Sequence, residues 1–325
     1  MKYLVIGGAG YIGSHMVQLL QEKGHTPVVY DNFSTGNIWA NKDCKIIKGD
    51  LLDKKKLSSC LANSNYDAIF HFAAKSIVSE SEENPYFYYQ NNVLGTMNLL
   101  NEMVKNNINN LIFSSTAAVY GIPTTKKINE DHPTNPINVY GATKLAVENL
   151  IKDYCRTKRI NGICFRYFNA AGAHSSGIIG EIRPFETHLI PNILISSTLK
   201  KNNLKVYGND YNTTDGSCIR DYIHVEDIAD SHLIGAEKIN ELKGFHVFNI
   251  GTEIGFSVFE IIKACEKVIG TEINYEIVKR RMGDPDSLIA DCKKAKTLLN
   301  WKPKYKDILE ITKSAHKFYK HYLKN

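Results

Sequence analysis

The stretch VYGATK (139–144) sets a phenol, Tyr140, and an ammonium, Lys144, four residues apart. On a helix, residues i and i+4 share a face. A free phenol has a pKa of about 10, and a nearby cation favours the phenolate, moving it toward the range a general base needs. Alone, the pair is equally a packed tyrosine beside a solvated lysine. Its company points to chemistry. FSSTAAVYG (113–121) ends an apolar β-type run in Ser114, Ser115 and Thr116, and active sites of open α/β sheets lie beyond the carboxyl ends of strands. Thr116 there can hand a proton between a substrate and Tyr140. The same hydroxyls can also satisfy local backbone groups.

A second group of residues is suited to holding a dinucleotide. GGAGYIG (7–13) follows the first apolar run and precedes an amphipathic stretch, with Gly7, Gly10 and Gly13 spaced G-x-x-G-x-x-G. Glycines allow a tight turn and close backbone approach to a pyrophosphate, and the helix start offers free N–H groups and the positive end of its dipole. The next strand candidate ends in Asp31. An acid at that point binds adenosine ribose hydroxyls and repels a 2′-phosphate, which favours NAD over NADP. Asp50, in KGDLLD, is placed to meet the adenine or to cap the following helix.

These residues require elements that bring them together. Short β-rich runs at Tyr3–Ile6, Val28–Asp31, Lys45–Lys48, Ala68–His71, Leu111–Ser114 and Ile163–Arg166 alternate with helical patterns at Ile12–Lys23, Lys54–Leu61, Tyr86–Lys105 and Tyr140–Arg156. Such alternation predicts an α/β fold with a Rossmann-type, doubly wound parallel sheet. Beyond residue 170 the pattern loosens, and Gly, Pro, Asn and Asp cluster at 172–186 and 208–217. This predicts an NAD-binding domain over 1–170 and a smaller α+β domain over 171–325. A strand candidate at 246–250 can return to the first sheet, so the boundary need not be clean.

Composition narrows the function classes. The chain has 325 residues, 43% hydrophobic and 23% charged, with a formal net charge of +6 spread along the chain. No nucleic-acid motif accompanies the basic residues, so a solvated surface is expected, with room for a basic pocket that binds an anionic small molecule. No apolar run is long enough to span a bilayer and no signal peptide is read. The seven cysteines are scattered, without a C-x-x-C pair. That favours reduced thiols in the cytoplasm over a disulfide framework or zinc site. His71, His174, His188, His224 and His246 show no metal-ligand spacing, and no metal is expected; His224 reads as a helix-start contact.

Three longer stretches carry a resemblance: RYFNAAGAHSSGIIGE (166–181), GNDYNTTDGSCIRDYIHVEDIAD (208–230) and RRMGDPDSLIAD (280–291). With the glycine turn, SSTAAVYG and Y-x-x-x-K, they resemble the extended short-chain dehydrogenase/reductase superfamily, and within it the UDP-glucose 4-epimerase family, over essentially the whole chain. The resemblance implies reversible C4 epimerisation of UDP-glucose and UDP-galactose by transient oxidation to a 4-keto sugar with bound NAD, in a cytoplasmic homodimer paired through helices at 86–105 and 140–156. It implies Tyr140 as the base at the sugar 4-hydroxyl, Lys144 as the residue that holds the nicotinamide ribose and lowers the Tyr140 pKa, and Thr116 as a partner of the 4-oxygen. It places Tyr11, Ile12, Asn32, Leu51, Phe72, Ala73, Asn92, Ser114 and Tyr167 at the cofactor. It assigns Asn169, Arg220 and Arg281 to the diphosphate and Asp284 to a uridine ribose hydroxyl, with His188, Leu189 and Tyr207 also at the substrate.

Departures from the family pattern carry information too. Relatives read A-G-L-K after the fourth strand, whereas this chain reads HFAAKSIVSES, with Lys75 one place early and Ser76 at the matching position; Lys75 is not expected to reach NAD. Positions 117–118 are Ala-Ala, where related sugar dehydratases carry Asp-Glu to expel water. Leu288 stands where a tyrosine restricts the pocket, so UDP-GlcNAc and UDP-GalNAc are expected as additional substrates. Another nucleotide-sugar-modifying relative, such as a UDP-GlcNAc or UDP-uronate 4-epimerase, is the alternative. A non-catalytic NAD-binding regulator would not need Thr116, Tyr140 and Lys144 together.

Overall fold

The computed structural model describes residues 1–37, 43–157, 160–183, 186–199, 204–281 and 283–323. Of the stretches singled out above, Pro184, Phe185 and Met282 lie outside the described residues.

The chain opens with β1 (Lys2–Ile6), α1 (Tyr11–Glu22), β2 (Thr26–Asp31), β3 (Lys45–Lys48), α2 (Lys54–Leu61) and β4 (Ala68–His71). Two short helices, α3 (Val78–Glu83) and α4 (Pro85–Tyr88), lead through a π-helical turn (Tyr89–Leu94) into α5 (Gly95–Lys105). Then come β5 (Asn110–Thr116), α6 (Val139–Arg156), β6 (Asn161–Tyr167) and β7 (Asn169–Ala171). The remainder is α7 (Leu189–Thr198), β8 (Leu204–Tyr207), β9 (Ile219–His224), α8 (Val225–Leu242), β10 (Phe245–Ile250), β11 (Gly255–Ser257), α9 (Val258–Ile269), β12 (Tyr275–Val278), β13 (Ser287–Leu288) and α10 (Ile308–Tyr322).

Seven strands form one parallel sheet in the order β10-β6-β5-β4-β1-β2-β3. The order reverses at β1, and the crevice beyond the carboxyl ends of β1 and β4 is where such sheets bind ligands. Strand alternation supplies both faces. Tyr3 and Val5 of β1 join Met16, Val17 and Leu20 of α1 and Ile228, Leu233 and Ile239 of α8. Leu4 and Ile6 point the other way, to Leu57 and Leu61 of α2, Leu99 and Met103 of α5, and Val147 and Ile151 of α6. A strand buried on both faces reads as a continuous apolar run, as YLVI does. Two elements from beyond residue 171, α8 and β10, thus belong to this layer.

The second unit is built on β9, which pairs with β7, β11 and β13, beside a two-stranded β8–β12 ribbon. Its core gathers Ile190, Ile193 and Leu194 of α7, Ile261 and Ile262 of α9, and Ile311 and Phe318 of α10. The chain passes from β6 in the first sheet to β7 in the second across Phe168 alone, so the second unit begins beside the carboxyl end of the first sheet.

The helix expected over 86–105 is not continuous. Its residues divide into α4, the π-helical turn and α5. The wider turn inserts one residue and re-aims the side chains around Asn92, a use π-bulges often have at functional sites.

Candidate active site

One cavity of about 1190 Å³ runs between the carboxyl ends of the first sheet and the second unit. That exceeds the roughly 300–1,000 Å³ of a pocket for one drug-sized ligand and suits two nucleotides side by side.

At one end, β1 gives way to the glycine turn. Gly7 has φ +76°, and a Cβ on it would lie 2.5 Å from the Ala73 nitrogen. A Cβ on Gly13 would run into the Gly7 carbonyl. Helix α1 starts at Tyr11 with no side-chain cap and no acid in its first turn, leaving its first N–H groups and dipole facing the cavity. Asp31, at the end of β2, accepts the Ala9 N–H at 2.9 Å and the Phe33 N–H at 2.8 Å. Burial pushes its carboxyl up, and these N–H bonds oppose the shift. The cavity-lining residues that follow it are Asn32, Ser34, Thr35 and Gly36, none of them a cation for a 2′-phosphate. Asp50 accepts from Asn32 Nδ2 and from the Leu52 N–H, each at 2.8 Å. A cradle that a Cβ would fill, an open helix start and an acid at the second strand fit an NAD molecule.

In the middle lies Tyr140, on the first turn of α6. Asn138 caps that helix by accepting the Gly141 N–H at 2.7 Å. The Thr116 hydroxyl accepts the Ala118 N–H at 3.2 Å and lines the cavity with the Tyr140 phenol. Burial raises the Tyr140 pKa; Thr116 and the Arg183 charge pull it down. Lys144 follows one helical turn later, on the same face of α6. Its Nζ donates to the Ser114 carbonyl at 2.7 Å and lies 6.0 Å from the Tyr140 ring centre. Burial moves Lys144 itself down to about 7, opposed by Glu148. The Ser114 hydroxyl makes a short hydrogen bond to the Tyr167 hydroxyl.

At the far end, Arg220 of β9 ion-pairs with Asp284 and donates to the Ile219 carbonyl at 2.6 Å. Asp221 and Asp227 are engaged elsewhere, by backbone N–H groups of Thr252, Glu253 and Ala290 and of Lys304 and Tyr305. Asp284 also accepts from the Tyr211 hydroxyl at 3.2 Å. The Arg281 guanidinium lies 4.1 Å over the Tyr207 ring. Helix α7 begins at Leu189 with no side-chain cap, and its first turn lines the same wall. Arginines and an open helix start are suited to a diphosphate.

The cavity thus gathers Gly7, Gly10, Tyr11, Ile12, Gly13, Asp31, Asn32, Asp50, Leu51, Phe72, Ala73, Ser114, Thr116, Tyr140, Lys144 and Tyr167 with Asn169, His188, Leu189, Tyr207, Arg220, Arg281, Asp284 and Leu288. Asn92 departs from its expected place. It lies behind the wall, 2% exposed, where it accepts the Lys75 N–H at 2.9 Å and donates to the Lys75 carbonyl at 3.0 Å and to Thr143 Oγ1 at 3.1 Å. The π-helical turn aims it at the backbone of the Lys75 loop, so it shapes the wall without lining it. The Lys75 ammonium lies 5.1 Å over the Phe87 ring. Ala117 and Ala118 line the cavity with methyl groups.

A sequence profile of the NAD dependent epimerase/dehydratase family matches residues 3–251. UDP-glucose 4-epimerase from Lactobacillus helveticus is 45% identical over 321 residues, spanning 98% of this chain and 97% of that protein. The crystal structure of UDP-glucose 4-epimerase from Brucella ovis in complex with NAD is 42% identical, covers 97% of each chain and superposes with a TM-score of 0.94. The Bifidobacterium longum UDP-glucose 4-epimerase in complex with NAD+ and UDP is 36% identical, covers 99% of this chain and 98% of its own, and has a TM-score of 0.93.

The chain belongs to the NAD dependent epimerase/dehydratase family.

Within this member of the family, sequence reasoning missed a charged group in the cavity. Arg183 lines the cavity, and its Nε donates to Glu181 Oε1 at 2.8 Å. His188 Nδ1 lies 2.7 Å from the same oxygen. Ligand atoms of Glu181, Glu186 and His188 come within 4.8 Å of one another, but the Glu181 oxygen is already engaged by these two neighbours. The signal lay in the alternation E-I-R-P-F-E-T-H (181–188), a cation between two acids in a loop with no helical or strand period to draw notice.

Proposed function

We propose that this protein is an NAD-dependent isomerase that interconverts UDP-glucose and UDP-galactose at C4. One observation carries the reading. Tyr140 and Thr116 stand midway in a single cavity with a dinucleotide cradle at one end and Arg220 and Arg281 at the other.

Gly7, Gly10, Gly13, Asp31 and Lys144 would hold NAD, which supplies the redox chemistry of the C4 centre. The protein groups do the rest. Tyr140 takes the proton of the 4-hydroxyl and later returns it, and Thr116 keeps a hydrogen bond on the same oxygen through the 4-keto sugar. Arg220, Arg281 and the start of α7 anchor the diphosphate. Binding energy is thereby realised at the UDP, remote from the reacting carbon. The sugar itself must turn over to present its other face, which requires a wall that does not grip it. Ala117, Ala118 and Leu288 provide such a wall. Alanines at 117 and 118 also leave no acid–base pair there to eliminate water.

Tyr140→Phe is expected to lower turnover of UDP-galactose by at least ~10²–10⁴-fold, the typical contribution of an acid–base group, while one NAD per chain remains bound. Turnover near wild type in that variant would remove Tyr140 from the role. Leu288 leaves the C2 side of the sugar open, so UDP-GlcNAc is expected as a second substrate; purified enzyme that converts only UDP-glucose and UDP-galactose would contradict that.

Tyr86, Phe87, Tyr89 and Met97 are exposed on the α4–α5 stretch, and a second copy of the chain is the partner assigned to them, forming a homodimer that sedimentation would register. Cys60, Cys155, Cys164, Cys265 and Cys292 are buried, unbridged thiols, consistent with a cytoplasmic enzyme.

A further inference from the structure

Behind the cavity wall lies a buried polar group that the proposed chemistry does not use. Glu148 is on α6, four residues after Lys144 and eight after Tyr140, so the three share one face of the helix. Its carboxylate meets the Arg166 guanidinium of β6 at two points, Oε1 accepting from Nε at 2.9 Å and Oε2 from Nη2 at 2.5 Å. Oε1 also accepts the Ser115 hydroxyl of β5 at 2.5 Å. Ser115 and Arg166 stand opposite each other in the β5–β6 ladder. All three side chains are buried, and none lines the cavity. Helix α6 is thus tied to β5 at adjacent residues, by Lys144 to the Ser114 carbonyl at 2.7 Å and by Glu148 to Ser115. Thr116 comes next on that strand, and Tyr140 lies one turn earlier on that helix. The Arg166 guanidinium also lies 4.8 Å over the ring of Tyr120, which ends the turn that carries Ala117 and Ala118.

A buried ion pair is weak evidence for stability, because apolar side chains of similar volume often serve a fold as well or better. What a two-pronged pair does supply is direction, since the planar fork of an arginine accepts a carboxylate in one orientation. We infer that Glu148 and Arg166 are positioning residues, whose buried ion pair with Ser115 sets α6 on β5 at the one placement that brings Tyr140 and Lys144 opposite Thr116. This rests on the reading of Tyr140 as the base. A helix held only by Val147 and Ile151 against Leu111 and Phe113 has non-directional contacts, which tolerate a small slide along the strand. The ion pair removes that freedom two turns away from the reacting oxygen.

The test replaces the whole group by apolar residues, Glu148→Leu, Arg166→Met and Ser115→Ala in one chain, so that none of the three leaves another buried and unpaired. The NAD-loaded triple variant should keep the thermal midpoint of wild type and its KM for UDP-galactose. Its kcat per NAD-bound chain should fall about 10²-fold, the cost of displacing reacting groups by roughly 1 Å. Crystal structures of the two proteins should show the Tyr140 hydroxyl moved from the Thr116 hydroxyl by that distance. Glu148→Asp keeps the charge but is one methylene short, and should give an intermediate loss of kcat at unchanged KM. A kcat near wild type in the triple variant, or an unmoved Tyr140, would overturn the proposal and leave the pair a core contact. Lowered thermal stability with unchanged kcat per NAD-bound chain would overturn it as well. Should the triple variant not fold, Glu148→Asp decides by the same two readings, kcat and the place of Tyr140. If wild type shows no epimerisation, the function proposed above fails, but the separation of the Tyr140 and Thr116 hydroxyls in the two crystal structures still decides the positioning.

Discussion

Lys144 is a costly residue where it lies. It is 2% exposed, and burial brings its ammonium down to about 7, against about 10.4 in an unfolded chain. The folded state therefore binds fewer protons than the unfolded state between these two values, and stability rises with pH across that window. Below about pH 7 both states carry the charge and the penalty is complete. Lys144→Met should accordingly make the protein more resistant to urea at pH 6, by an amount that shrinks as pH approaches 10, while turnover collapses. A gain independent of pH would show that the buried charge is not what weakens the fold. This is the expected conflict between a functional site and stability. Residue chemistry was legible where it was periodic: the i, i+4 spacing of Tyr140 and Lys144 and the glycine triplet could be read directly. What Lys144 touches could not be read, because its acceptor is a strand carbonyl thirty residues earlier. Arg183 was hidden for the same reason, since Ser76, to which its Nη1 donates at 3.3 Å, lies 107 residues away from it.

At the scale of elements, the boundaries followed hydrophobic periodicity closely. β3, α2 and β4 begin and end where the pattern predicts, and the other first-sheet strands run one to three residues longer. The exception is the stretch 85–105, whose apolar spacing is helical throughout but whose backbone widens at Tyr89–Leu94. The widening belongs with Asn92, whose side chain satisfies the Lys75 backbone in both directions and reaches Thr143. Those partners sit 17 and 51 residues away, so no local pattern announces them. Asn92→Ala would leave buried backbone groups of the Lys75 loop unpaired, at a cost of about 1–3 kcal/mol. The expected outcome is a lower urea midpoint together with NAD lost during purification, since Ala73 and Lys75 share the loop that walls the cofactor cradle. Asn92→Asp keeps the acceptor and loses the donors, and should fall between. Full NAD occupancy in Asn92→Ala would mean that the loop holds its shape without this residue.

For the molecule as a whole, the Rossmann-type layer was legible because seven parallel strands need seven apolar runs, and its two-sided burial follows from their continuity. The return of β10 was open to the reading at 246–250, but that α8 completes the layer with it was not, because nothing local distinguishes a helix that returns from one that stays. The α8 insertion brings His232 against Phe72 and Phe165, with ring centres 4.9 and 4.7 Å apart. His232 is one of four histidines that folding holds neutral. His15, His71 and His232 are lowered to about 3 and His224 to about 4, all chiefly by burial. The chemistry agrees with the direction. His15 and His232 each donate Nδ1–H to a backbone carbonyl and His71 donates Nε2–H to Thr96, leaving the other ring nitrogen of all three buried without a partner. His224 accepts the Glu226 N–H to cap α8. A second proton on any of these rings would bury an unpaired donor or break a cap.

Their unfolded pKa is about 6.5, so as pH falls from 7.5 to 5.5 the unfolded chain gains protons that the folded chain cannot take. Each histidine then removes about 1.4 kcal/mol over that interval. Asp221 and Asp227 work in the opposite sense. Burial raises both to about 6, so the folded state gains their protons first, returning under about 1 kcal/mol apiece over the same interval. Lys144 still titrates at the top of the window and adds to the loss. The histidines outnumber the aspartates, and the protein should lose roughly 4–5 kcal/mol between pH 7.5 and 5.5, read as a falling urea midpoint at constant m-value. His232→Phe keeps the aromatic contacts with Phe72 and Phe165 and cannot titrate. It should reduce the loss by about 1.4 kcal/mol whatever its effect at pH 7.5, because the comparison is of slopes. An unchanged pH slope in that variant would mean that His232 takes its proton in the folded state, which its buried, partnerless Nε2 should forbid.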